Sequence, residues 1–146
     1  MNFVGNKFDV NNSNRYNLTW IARQLREELK EFTENWQKNH PADDKKSWKF
    51  SVKKENSCLI ITISKFPYSA INNKYAVLDM CGNRSFNPNK HFKDEVMSEL
   101  RHVCNQYNYD NSEVMCDYFD CNYYLAFYPN YNCTEMINDG DIYKVI

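Results

Sequence analysis

Six cysteines, three histidines and a run of regularly spaced carboxylates are the residues of this 146-residue chain that could hold a metal or start a covalent reaction. A zinc ion takes four thiolates or imidazoles, usually supplied as closely spaced pairs. Cys116 and Cys121 are spaced unlike a common zinc pair, and His40, His91 and His102 supply no matching pair. Asp110, Glu113, Asp117 and Asp120 recur at intervals of three and four, which on a helix would align carboxylates for a hard cation. The residues between them lack the glycine turn of an EF-hand loop, however, and a strand-like pattern begins soon after. Cys104 and His102 are near neighbours, but on a helix they lie on different faces and make no nucleophile–base pair. With three glycines in all, no phosphate-cradling loop or nucleophile elbow is present. These patterns predict a non-enzymatic protein with no cofactor and no metal.

What stands out instead is CDYFDCNYYLAFYPNY, residues 116–131, with seven aromatic rings, two aspartates and no lysine or arginine. Surfaces that stack bases also carry cations that track the phosphates. Here the cations are missing: residues 102–143 hold seven acids and no lysine or arginine, although the whole chain has a formal net charge of only -1. Residues 1–101 hold 17 basic and 12 acidic side chains. Nucleic-acid binding is therefore disfavoured for the C-terminal segment. It would fall to Lys45, Lys46, Lys49, Lys53 and Lys54, which equally suit a solvated hairpin.

An acidic, tyrosine-rich face suits a basic protein partner. Tyrosine brings large contact area with two torsions to freeze, and carboxylates steer association. Strand alternation assigns Tyr123, Leu125 and Phe127 to the core. That leaves Asp117, Tyr118, Asp120, Tyr124, Tyr128 and Tyr131 as the candidate partner-binding residues.

The elements that would position these residues are legible from periodicity. In NLTWIARQLREELKEFTENW, Leu18, Ile21, Leu25, Leu29, Phe32 and Trp36 form one helical stripe, with Asn17 as N-cap. QKNHPADDKK then reads as a loop. WKFSVKK and SCLIITIS alternate or run β-branched and predict a hairpin turning at Glu55 and Asn56. KYAVLDM offers a short third strand. Asn87 and Pro88 open a second helix whose stripe is Phe92, Val96, Leu100, Val103 and Tyr107. A strand over residues 121–128 follows, then a DGD turn and a final strand IYKVI. The expectation is one α+β domain over residues 1–146, irregular near 1–16 and in a loop at 67–87. It has two layers, with both helices packed on one face of a small antiparallel sheet.

Composition adds context. The chain carries 21 asparagines, which fits an AT-rich coding genome, so polar runs such as NKFDVNNSNRYN need no functional reading. No apolar run is long enough to span a membrane, and MNFVGNKFDV has neither the basic nor the apolar region of a secretory signal. Those features predict a cytoplasmic protein with reduced cysteines.

Several segments together resemble one of the large polyvalent protein-associated domains of phages and conjugative elements. The matching residues are Phe50, Ser51 and Val52 in the first strand, Phe66 and Pro67 after the second, 108–112, and 117–120 with Tyr123 and Tyr124. The resemblance implies an accessory protein of a mobile element with no catalytic residue. That context together with the acidic, tyrosine-rich segment leads to the expectation of a cytoplasmic counter-defence role in the host cell, as an anti-CRISPR-like inhibitor that binds a host defence protein with a basic surface. Two other readings fit the same residues. One is a nucleotide or nucleic-acid binding module that sequesters a signalling nucleotide. The other is a structural domain of a larger mobile-element assembly, for which homo-oligomerisation through the tyrosine face would be the mark.

Overall fold

The computed structural model describes residues 3–8, 17–43, 47–72, 88–113, 115 and 120–129. Helix α1, Leu18–Asn39, forms where the sequence places it: Leu18, Ile21, Leu25, Leu29, Phe32 and Trp36 are all buried. Side chains of this size each contribute roughly 1.5–3 kcal/mol when fully buried. The Asn17 side chain accepts from the Trp20 N–H at 3.4 Å, satisfying one orphan donor of the first turn. The helix runs three residues further than expected, through Gln37, Lys38 and Asn39. It stops at His40, whose backbone N–H reaches the Trp36 carbonyl and whose non-helical backbone suits the residue before Pro41.

The hairpin is present as β2, Lys49–Glu55, and β3, Cys58–Lys65, paired antiparallel. Its turn sits one residue later than the sequence suggested, at Asn56 and Ser57. Asn56 adopts φ 53°, a left-handed conformation that asparagine tolerates in a two-residue hairpin loop. Alternation then sorts the faces. Val52, Leu59, Ile61 and Ile63 are buried against the helices, whereas Ser51, Lys53 and Glu55 are exposed.

The expected second helix is broken in two, α2 at Pro88–His91 and α3 at Asp94–Cys104. The cause is a competing backbone pairing. Residues 70–72 lie alongside 91–93, the Asn72 N–H donating to the His91 carbonyl at 2.7 Å and the Lys93 N–H to the Ala70 carbonyl at 2.9 Å. Groups that would have continued the helix are taken by a neighbouring strand-like segment. Phe92, Val96 and Leu100 are buried as the stripe requires, while Tyr107 is buried beyond the helix end.

β5, Tyr124–Pro129, joins β3 in parallel, with Cys58 beside Tyr124 and Ile61 beside Phe127. The α+β class and two-layer arrangement hold, but this one ladder differs from the expected antiparallel pairing. The reason is the connection: helices between β3 and β5 return the chain to the same end of the sheet, as a crossover must. A second small ladder was not foreseen, in which β1, Phe3–Val4, pairs antiparallel with β4, Tyr109–Asp110. Gly5 follows β1 at a point where a Cβ would come within 2.3 Å of the Asn105 carbonyl oxygen, so only glycine fits there. The KYAVLDM, DGD and IYKVI expectations lie outside the described residues, as does Asn87. Among the described residues no helix is long and apolar enough to cross a membrane.

Candidate functional site

The late motif that carries the resemblance divides into a buried part and an exposed part. Asn108 is the hub of the buried part. Its side-chain oxygen accepts from the backbone N–H groups of Tyr109, Asn122 and Tyr123 at 3.0–3.1 Å. Its amide donates to the Tyr123 carbonyl at 3.0 Å and to the Asn105 side chain at 3.1 Å. Asn122 returns the link by donating to the Tyr107 carbonyl at 2.8 Å. Two asparagines thus fasten the segment after α3 to the entry of β5.

Asp120 belongs to the same lock. Its carboxylate accepts from the Tyr109 hydroxyl at 2.6 Å, its backbone N–H donates to the Ser112 hydroxyl, and its carbonyl accepts from the Asn111 N–H. Ser112 in turn donates its N–H to the Asp110 carboxylate at 2.9 Å. The acids at 110 and 120 are therefore joined to a turn rather than aligned along a helix. Among the described residues no group of three or more His, Cys, Asp or Glu side chains could hold a metal ion. Cys104 is buried, and burial followed by the Glu28 charge pushes its thiol up to about 12. A thiol held so firmly protonated is a poor nucleophile, and its sequence neighbour His102 is exposed.

The exposed part begins one residue later. Tyr123 is 1% exposed and donates its hydroxyl to the Cys104 carbonyl, whereas Tyr124 is 50% and Tyr128 55% exposed. Both exposed rings stand on the sheet face that, among the described residues, the helices leave open. Register places Glu55, Cys58 and Tyr124 in one row across that face, Lys53, Ile60 and Ala126 in the next, and Ser51, Thr62 and Tyr128 in the third. Lys53 and Glu55 sit 3.9 Å apart, well exposed. At the Tyr124 end, burial raises the Cys121 thiol's pKa, a hydrogen bond with Tyr124 lowers it, and Asp110 and Asp120 raise it again. Cys121 is the main influence raising the Tyr124 hydroxyl.

Of the six candidate residues, Tyr124 and Tyr128 share this open face and Asp120 is half-buried in the hydrogen-bonded turn beside it. Asp117, Tyr118 and Tyr131 lie outside the described residues. The described rows carry one lysine and one glutamate, so the acidity expected of the surface is not found on them.

Sequence reasoning passed over a second feature, on the other side of the hairpin. Arg26, Lys30 and Thr33 follow one another at helical spacing along the border of the α1 stripe and face Trp48, Lys49 and Phe50 across a groove. The signal was available in the i, i+4, i+7 spacing, which sets these three residues beside the apolar stripe.

No family model matches the chain, nor does any curated protein or solved structure.

Proposed function

We propose that the protein is a non-enzymatic binding module that presents the open face of its three-stranded sheet to another protein. The observation that carries this reading is the pair of half-exposed tyrosines, Tyr124 and Tyr128, flanking Ile60, Thr62 and Ala126 on a face that no helix covers among the described residues. Tyrosine at such positions offers apolar area with a polar tip, the composition of contact surfaces. In the mobile-element setting implied by the resemblance, the partner is a host defence protein and the outcome of binding is its inhibition. The preference for a basic partner surface rests on the acids concentrated in residues 102–143 of the sequence.

The test is the plating efficiency of a phage on hosts that each carry one RNA-guided nuclease system, with and without the protein. Wild type should restore plaques on at least one such host, and the Y124A/Y128A double variant should lose that effect while keeping its circular dichroism spectrum and melting temperature. If wild type restores plating on none of the hosts, the counter-defence reading fails. A double variant as active as wild type would remove the sheet face from it.

A further inference from the structure

We infer that the groove between α1 and the free edge of β2 is a second binding site, which takes an acidic peptide segment in extended conformation as an added strand. Four observations place it there, none of them involving Tyr124 or Tyr128.

First, β2 is an outer strand: the order of the sheet is β2, β3, β5, so among the described residues one edge of β2 has no partner strand. Second, Arg26 donates from Nη2 to the Val52 carbonyl at 2.8 Å. That carbonyl must therefore look away from β3. Since backbone groups alternate sides along a strand, the N–H and C=O of Phe50 and Lys54 look the same way. Apart from the Val52 carbonyl, which Arg26 holds, the edge thus offers backbone donors and acceptors of the kind that an extended peptide completes.

Third, the edge opens onto a groove of about 380 Å³ rather than onto flat surface. Its apolar wall is Leu29, Trp48, Phe50 and Val52, in which the Trp48 and Phe50 rings stack with centroids 5.3 Å apart. Trp48 is 4% exposed, and its buried indole N–H has no hydrogen-bond partner among the described residues. A wall of this kind has room for one apolar side chain of a bound segment. Fourth, the charged groups around the groove are Arg26, Lys30 and Lys49 against Glu34. An excess of cations around an apolar floor selects carboxylates flanking an apolar residue. The β2 edge from Phe50 to Lys54 has room for about five residues of added strand, at roughly 3.3 Å per residue.

The experiment uses the full chain and fluorescence anisotropy. The probes are a fluorescein-labelled octapeptide of Glu and Val, its Lys and Val counterpart, a copy of the acidic peptide with proline at alternate positions, and labelled oligothymidylate. The acidic peptide should bind, weaken as salt is raised, and lose at least tenfold in affinity against K30E/K49E, two exposed positions whose exchange leaves the core untouched. The proline copy, which lacks every second backbone donor, should bind at least tenfold more weakly as well. Hydrogen exchange of the Phe50 and Lys54 amides should slow when the acidic peptide is bound. Equal binding of the basic peptide, no binding of the acidic one, or bound peptide with those amides unchanged would each overturn the inference. Tighter binding of oligothymidylate would give the groove to nucleic acid instead. A dimer in analytical ultracentrifugation that K30E/K49E dissolves would give it to a second copy of this chain, and either result overturns the peptide assignment. Because Tyr124 and Tyr128 take no part, their double variant should bind the acidic peptide as wild type does.

Discussion

The two ends of the core are held together by different means. At one end, Trp48 meets Phe32, Trp36, Phe50 and Phe92 with centroids 5.3–5.6 Å apart, and Phe92 meets Phe66 at 5.3 Å. These contacts are edge-on or stacked ring against ring, and the Trp36 indole N–H leaves the cluster to donate to Asp43 at 2.8 Å. At the other end, Asn108 and Asn122 tie backbone groups of 107–109 to those of 122–123, with the Tyr109 hydroxyl closing onto Asp120. The aromatic end is stabilised by removing area from water and tolerates approximate geometry. The amide end satisfies buried donors one by one, so each partner counts individually.

The largest effect should come from breaking the aromatic end. Phe92→Ala removes a ring that is 1% exposed and sits between Trp48 and Phe66. Such truncations cost about 3–5 kcal/mol, and equilibrium urea denaturation should show a loss in that range. Asn108→Ala tests the other end. It removes few atoms but takes a side-chain acceptor from the backbone N–H groups of Tyr109, Asn122 and Tyr123, of which that of Asn122 keeps the Tyr109 carbonyl at 3.2 Å, and a buried donor left without a partner costs about 1–3 kcal/mol. The expected loss is about 3 kcal/mol, close to that of the far larger Phe92 truncation. A loss below about 1 kcal/mol would mean that water replaces the amide and that the two ends do not differ as described.

That contrast also explains what could be read in the sequence. The aromatic end was legible because Phe32 and Trp36 fall on a helical stripe and Trp48 and Phe50 on a strand alternation. The amide end was not, because Asn108 and Asn122 are two of 21 asparagines and no periodicity marks a side chain whose role is to satisfy backbone N–H groups. The break between α2 and α3 was hidden for a related reason. It depends on residues 70–72 competing for the backbone of 91–93, a long-range pairing that no local propensity reports. The parallel entry of β5 follows from the helical connection, which residue types within the strand do not reveal. For the candidate site, alternation separated Tyr123 from Tyr124 correctly, but Asp120 was grouped with the exposed set although Tyr109 and Ser112 engage it. The cations of the α1 groove were each visible. Their convergence on Trp48 and Phe50 requires the helix to be docked on β2.

High pH should weaken the core where α3 ends. The Cys104 thiol is raised from an ordinary 9.0 to about 12, by burial first and the Glu28 charge second. Tyr107 is raised from 10.0 to about 12, by burial first, then by its hydrogen bond to Glu28. In both cases the folded state keeps a proton that the unfolded chain releases earlier. Between about pH 9 and 12 the unfolded state therefore binds fewer protons, and stability falls as pH rises. Below pH 9 the contribution is fully present. The slope from a single such group is at most about 1.4 kcal/mol per pH unit. Urea midpoints across pH 7–11 should stay level and then decline, and Cys104→Ala should decline less steeply between pH 9 and 10, where Cys121 is, among the described residues, the other thiol raised by burial. A variant whose decline is as steep as wild type's would locate the titrating group elsewhere.

The smallest effect discriminates between adjacent residues. Tyr123→Phe removes only a hydroxyl, but that hydroxyl donates to the Cys104 carbonyl in a buried site, so the carbonyl loses its partner and stability should drop by about 1–2 kcal/mol. Tyr124→Phe removes the same atom from a ring that is 50% exposed, where water takes its place, and the change should stay within about 0.5 kcal/mol. Binding should rank the pair the other way. If the open sheet face is a contact surface, Tyr124→Phe costs affinity for the partner while leaving the fold intact, and Tyr123→Phe costs stability while leaving affinity per folded molecule unchanged. Measuring urea midpoints and partner affinity on the same two variants separates the roles. Matched losses in both measurements would mean that strand alternation does not divide this segment into a core side and a contact side.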